Sequence, residues 1–133
     1  MDKWVLITGG TKGIGRAVAN CLAKAGYQLI LTYASDTKAA EATCTTLRQA
    51  HGVRVELLRA DITDPRAVDE INAFLRGAER RLDALVLNAG ITCRDPFEQI
   101  QPADWLRVFQ ANVHFPVFLL QRIVDLLNEK GSV

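Results

Sequence analysis

Three features of the sequence predict an α/β fold built on a doubly wound parallel sheet. Short apolar runs alternate four times with segments of helical period. Two of those runs, Trp4–Ile7 and residues 84–87, are apolar without a break, as strands covered on both faces must be. A glycine-rich turn joins the first run to the first helical segment. The expected strand order is 3-2-1-4, with right-handed crossovers and helices on both faces.

The first strand, Trp4–Ile7, leads into a helix whose inward stripe reads as Ile14, Ala17, Val18, Cys21, Leu22 and Ala25, ended by Gly26 as a left-handed cap. Residues 29–33 make the second strand. Ser35 or Asp36 then caps a helix that runs to His51 and stops at Gly52, with Ala40, Cys44, Leu47 and Ala50 facing inward. In the third strand, residues 53–58, Val53, Val55 and Leu57 alternate with Arg54 and Glu56, so one face is wet and the strand belongs at a sheet edge. Asp64 before Pro65 reads as an N-cap with proline at the first helical position, opening a helix that carries Val68, Ile71, Phe74 and Leu75. After the fourth strand and a loop, a long helix over residues 102–129 is expected to bury Trp105, Leu106, Phe109, Val113, Val117, Leu120, Val124 and Leu127. Phe115, Phe118, Leu119 and Ile123 fall off that stripe, and this surplus of apolar surface implies a homo-oligomer formed through the last helix. Gly131-Ser132-Val133 reads as the opening of a fifth strand, cut off.

With 133 residues, 49% of them hydrophobic, the chain fits one domain. Its 16 basic and 15 acidic residues nearly cancel and form no long block of one sign, which argues against nucleic acid or an anionic membrane as partner. The longest apolar run, residues 115–120, contains Pro116 and is far short of the about 20 residues that span a bilayer. The N-terminal run is too short for a signal-peptide core, so a cytoplasmic location is expected. Cys21, Cys44 and Cys93 are odd in number and lack C-x-x-C spacing, and His51 and His114 have no partner at ligand spacing, so neither a disulfide nor a metal site is expected.

The chemistry gathers at the ends of three strands. Thr8-Gly9-Gly10-Thr11-Lys12-Gly13-Ile14-Gly15 occupies the strand-to-helix turn where a doubly wound sheet takes the pyrophosphate of a dinucleotide. Backbone must approach phosphate oxygens there without a Cβ in the way, and the free N–H groups of the helix must face the anion. Asp61-Ile62 follows the third strand, where Asp61 is placed to accept a hydrogen bond from an adenine amino group or, more simply, serves as a loop residue ahead of the Asp64 cap. Asn88-Ala89-Gly90 follows the fourth strand beside the first, where small residues leave room for ribose and nicotinamide and Asn88 can also satisfy backbone groups of the glycine turn.

These residues resemble the short-chain dehydrogenase/reductase family. Its Thr-Gly-x-x-x-Gly-x-Gly turn is matched by Thr8, Gly9, Gly13 and Gly15, its post-strand Asp by Asp61, its Asn-Ala-Gly by Asn88, Ala89 and Gly90, and its helix-four asparagine by Asn112. The resemblance covers the whole chain, and the stretch from Asn88 to Asp95 is most similar to the 3-oxoacyl-acyl-carrier-protein reductase branch. It implies a Rossmann-like dinucleotide-binding domain over residues 1–133, an enzyme that reduces a carbonyl to an alcohol by hydride transfer, and a small-molecule substrate or a carrier-bound acyl chain. NAD-preferring members carry an acid at the end of the second strand, where Tyr33 stands here; Lys12 and Ser35 are placed to bind a 2′-phosphate, while Asp36 weighs against it. NADP(H) is therefore expected over NAD(H). In the family the helix-four asparagine holds a water of the proton relay through its main-chain carbonyl, and Pro116, lacking an N–H, frees that carbonyl of Asn112. Phe115 stands where relatives often have glycine, which puts the local backbone path in question. The family's catalytic Ser and Tyr-x-x-x-Lys have no match in residues 1–133, so the chain by itself is expected to be inactive. The rival reading is a non-catalytic dinucleotide-binding module.

Overall fold

The computed structural model describes residues 1–133 and contains, in order, β1 (Trp4–Ile7), α1 (Gly13–Lys24), β2 (Gln28–Tyr33), α2 (Thr37–His51), β3 (Val55–Arg59), α3 (Ala67–Gly77), β4 (Leu82–Val86), α4 (Pro102–Phe109), α5 (Phe115–Ile123) and β5 (Leu127–Ser132). A π turn, Gln110–His114, joins α4 to α5. All four strand pairings are parallel and the order is β3-β2-β1-β4-β5, so the expected 3-2-1-4 core holds and a fifth strand extends it.

Period-two alternation divides the central strands between two apolar layers. Val5, Ile7, Leu29 and Leu31 face α1 and α2 with Ala19, Ala23 and Leu47, whereas Trp4, Leu6 and Ile30 face the other side with Ile71, Leu75, Phe115 and Leu119. β3 lies at the edge as expected, its Glu56 paired with Arg80 at 2.6 Å. The Arg80 guanidinium lies 4.1 Å and that of Arg54 4.9 Å from the centre of the Trp4 ring.

Four expectations about the helices and the last strand are corrected. On α1 the buried face is Gly15, Ala19 and Ala23, while Ile14 and Cys21 are exposed. Small residues let this helix approach the sheet closely, and that selection for size outweighs hydrophobicity. Cys44, by contrast, is buried as expected; burial pushes its thiol up, and it lies 3.6 Å from the Val55 carbonyl, which accepts from it.

Helix α3 starts at Ala67 rather than at Pro65, because Asp64 forms a turn ahead of it: its Oδ1 accepts the Arg66 N–H at 2.9 Å and its carboxylate pairs with the Arg66 guanidinium at 2.7 Å. Those contacts, the guanidinium first, hold the Asp64 carboxyl at about 2 instead of 3.8. A carboxyl depressed in this way favours the turn above its ordinary value, and the contribution is lost as pH falls through about 2. In an NMR titration of the Asp64 side chain the midpoint should therefore lie near 2, and Arg66→Ala should move it back toward 3.8.

The long helix differs most. It breaks at the π turn, ends before residue 127, and hands over to β5 four residues earlier than Gly131. It is also rotated: Ala111, Phe115, Leu119, Ile123 and Leu126 are buried, and Trp105, Leu106, Phe109, Val113, Val117 and Val124 are exposed. Two exposed ion pairs to α3 accompany that rotation, Arg122 with Asp69 and, in the turn after α5, Asp125 with Arg76, each at 2.9 Å. β5 is tied to β4 by Arg81, which donates to the Leu127 carbonyl and the Asn128 side chain, and by Asn128, which donates to Asp83 at 2.8 Å.

Candidate functional site

The glycine turn after β1 is held from both flanks by hydroxyls and amides. Thr8 is buried, and its Oγ1 accepts the N–H groups of Asn88 at 3.0 Å and Ala89 at 3.1 Å, joining the end of β1 to the end of β4. The Asn88 side chain returns the contact, donating through Nδ2 to the carbonyls of Thr8 at 3.1 Å and Gly9 at 3.2 Å. From β2, the Thr32 hydroxyl accepts the Gly9 N–H at 3.1 Å and its carbonyl accepts from Gly10; from α2, Thr43 donates to the Thr11 carbonyl at 2.9 Å. Thr8 and Thr11 thus shape the turn from inside, while Gly9, Ile14, Asn88, Ala89 and Gly90 line the cleft outside it. Thr32 and Thr43 were not singled out in the sequence, although a threonine closing the apolar run of a buried strand is itself a signal that its hydroxyl has a partner.

The cleft has a volume of about 540 Å³ and runs along the C-terminal edge of the sheet. Tyr33 and Ser35 border it from the end of β2, Asp61 and Ile62 from the end of β3, and Arg107, which the sequence reading did not single out, from α4. Three observations fit a dinucleotide here. No side chain caps α1 and no acid occupies its first turn, so the N–H groups of Gly13, Ile14 and Gly15 are free to meet an anion. Gly13, at φ 52°, has no atom within 4 Å of the place a Cβ would take, which leaves the cradle open for phosphate oxygens. Asp61 has its Oδ1 fixed by the Thr63 N–H at 2.9 Å and hydroxyl at 2.7 Å, leaving Oδ2 unengaged at the cleft.

Lys12 is not free. Its Nζ lies 2.5 Å from Asp36 Oδ2, while Asp36 Oδ1 caps α2 by accepting the Ala39 N–H at 3.0 Å. Lys12 foremost, with the Ala39 N–H, holds the Asp36 carboxyl below the usual carboxylate range.

Asn112 sits in the π turn, where the Phe115 N–H reaches the Gln110 carbonyl five residues back. The Asn112 side chain pairs with the main chain of Ile91, donating to its carbonyl at 2.7 Å and accepting its N–H at 2.9 Å. It therefore fixes the segment after Gly90, a role the sequence reading, directed at the Asn112 carbonyl, did not include. Phe115 is accommodated by complete burial against the sheet.

A family model described as short chain dehydrogenase matches residues 3–133. Sulfoacetaldehyde reductase 2 of Chromohalobacter salexigens is 35% identical, over 99% of this chain and 52% of that protein. The 3-oxoacyl-acyl-carrier-protein reductase FabG of Staphylococcus aureus is 34% identical, over 100% of this chain and 58% of its own length. A crystal structure of a short chain dehydrogenase from Burkholderia cenocepacia in complex with NADP superposes with a TM-score of 0.89 at 32% identity, covering 98% of this chain and 54% of that one. The chain spans about half the length of the curated relatives it matches.

Proposed function

The chain belongs to the short-chain dehydrogenase family, and from that premise we propose that residues 1–133 form the dinucleotide-binding part of an NADP(H)-dependent oxidoreductase that reduces a carbonyl to an alcohol. The observation that carries this reading is the convergence of the uncapped α1 N-terminus, the unengaged Asp61 oxygen and the Asn88–Gly90 corner on one cleft. The N–H groups of Gly13, Ile14 and Gly15 bind the pyrophosphate, Asp61 orients the adenine, and Ala89 and Gly90 leave space for the nicotinamide and its ribose. When bound, the nicotinamide supplies the hydride. Asn112 positions the corner through Ile91, and its carbonyl, denied an α-helical donor by Pro116, is available to hold a relay water. A 3-oxoacyl thioester on a carrier is the substrate class the Asn88 to Asp95 stretch favours.

No tyrosine or lysine borders the Asn88–Gly90 corner of the cleft to protonate a developing alkoxide. Residues 1–133 should therefore bind NADPH without oxidising it in the presence of simple ketones or 3-oxoacyl thioesters. Turnover by these residues alone would refute the assignment. The exposed Trp105, Phe109, Val113 and Val117 face of α4 and α5 serves as the contact with a second copy of the chain.

Cofactor choice gives the direct test. Asp36 both occupies Lys12 and repels a 2′-phosphate. Asp36→Asn, which keeps the helix cap, should raise NADPH affinity up to about fivefold and leave NADH unchanged, since exposed pairs of this kind are worth about 0–1 kcal/mol. Lys12→Ala should weaken NADPH alone. Titration of cofactor fluorescence reads both, and equal effects on the two cofactors would remove Lys12 from the 2′-phosphate and reopen the choice between NADP and NAD.

A further inference from the structure

We propose that Arg59, a residue the glycine motif does not include, is the principal recognition group for the 2′-phosphate of the adenosine ribose. The proposal rests on the NADP reading above and adds the residue that makes the distinction.

Arg59 closes β3 and pairs in register with Tyr33, the last residue of β2. A doubly wound fold places the 2′ position of the adenosine ribose just beyond the second strand, and an arginine nearby accommodates the phosphate. The Arg59 Nε donates to the Ala34 carbonyl at 2.9 Å, which anchors the guanidinium against the loop between β2 and α2. Its two terminal nitrogens have no hydrogen bond and no carboxylate within ion-pair distance. Arg59 and Ser35 border one polar recess of about 480 Å³, which shares Ala34, Ser35 and Asp61 with the cofactor cleft.

The two neighbouring cations are engaged. Lys12 is held by Asp36, and Arg66 is held by both oxygens of Asp64. A phosphate arriving at Lys12 must displace a carboxylate; one arriving at Arg59 meets unpaired N–H donors already oriented by the Ala34 contact, with the Ser35 hydroxyl beside them. Asp61, Asp64 and Glu70 border the same recess, so without Arg59 the local charge would oppose a 2′-phosphate. A guanidinium with one nitrogen fixed and two free matches two phosphate oxygens, which a lysine at that position would not.

The test compares adenosine 2′,5′-bisphosphate with adenosine 5′-monophosphate by calorimetry, which isolates the 2′-phosphate and needs no turnover. The wild-type chain should prefer the bisphosphate. Arg59→Gln, an exposed position whose folding circular dichroism can verify, should lower bisphosphate affinity by about tenfold or more and change the monophosphate less than about twofold. Arg59→Lys should recover only part of the loss. If the wild type prefers the bisphosphate and Arg59→Gln retains that preference, while Lys12→Gln loses it, the Arg59 assignment is overturned and the cofactor reading stands. If the wild type binds the two ligands equally, or neither, the NADP reading itself fails and the assignment falls with it.

Discussion

Gly15→Ala is expected to cost at least about 3 kcal/mol of stability, to lower the melting temperature by more than about 10 °C, and to abolish NADPH binding. A Cβ on Gly15 would lie 2.1 Å from the Gly9 carbonyl oxygen, 2.9 Å from the Gly9 carbonyl carbon and 2.5 Å from Asn88 Nδ2. None of these atoms can yield cheaply. The first two are backbone in the turn that Thr32 pins through the Gly9 N–H, and the third is already committed to the carbonyls of Thr8 and Gly9. Relief therefore requires α1 to move off the sheet, which opens contacts of Ala19 and Ala23 with the layer formed by Val5, Ile7, Leu29 and Leu31. Gly13→Ala is the control. Nothing stands within 4 Å of its Cβ position, so the change costs only the about 1–2 kcal/mol of a left-handed backbone at φ 52°, and the Cβ obstructs the phosphate approach rather than the fold. Thermal melts and NADPH titrations of the two variants should separate them; a Gly15→Ala protein melting within a few degrees of wild type would show that the close packing of turn and helix is not what the glycine is for.

The strands were legible because an unbroken apolar run of four residues, as in Trp4–Ile7, has few alternatives to a doubly covered strand, and the wet alternation of Arg54 and Glu56 marks an edge. The glycine turn, Asp61 and Asn88–Gly90 were legible as residue types at the ends of those strands. The hold of Asn88 on the glycine turn and the Asp36 cap were legible as well, but the partners of the Asn112 side chain and of the Thr8 hydroxyl were not, because they are distant in sequence: Asn112 meets Ile91 across 21 residues, and Thr8 meets Asn88 across 80. Charge pairing failed in a related way. Lys12 and Asp36 are 24 residues apart in sequence, and only the fold brings the starts of α1 and α2 together so that one neutralises the other. Hydrophobicity alone points α1 the wrong way, because Ile14 and Cys21 outrank Gly15, Ala19 and Ala23 in hydrophobicity, whereas the sheet admits only the smaller set at that distance.

The rotation of α5 has the sharpest energetic consequence. Phe115→Ala should destabilise the chain by about 3–5 kcal/mol, because the ring is 1% exposed among Leu6, Ile71 and Leu119 and its removal leaves a cavity in the sheet-facing layer. Val117→Ala, two residues on, should change the stability of a single chain by less than about 0.5 kcal/mol, because that side chain is 56% exposed. The inward face carries Phe115, Leu119 and Ile123 on successive turns, and their burial sets the phase, while the exposed pairs of Arg122 with Asp69 and of Asp125 with Arg76 are compatible with it and add at most about 1 kcal/mol each. Urea unfolding at low protein concentration measures both effects without interference from association. The opposite order, a severe Val117→Ala and a mild Phe115→Ala, would mean that the stripe through Trp105, Phe109, Val113 and Val117 is the core-facing one after all. With the order as expected, Val117→Ala should instead act at high protein concentration, weakening association of the chains while each chain keeps its stability, since the face it trims is the one left uncovered.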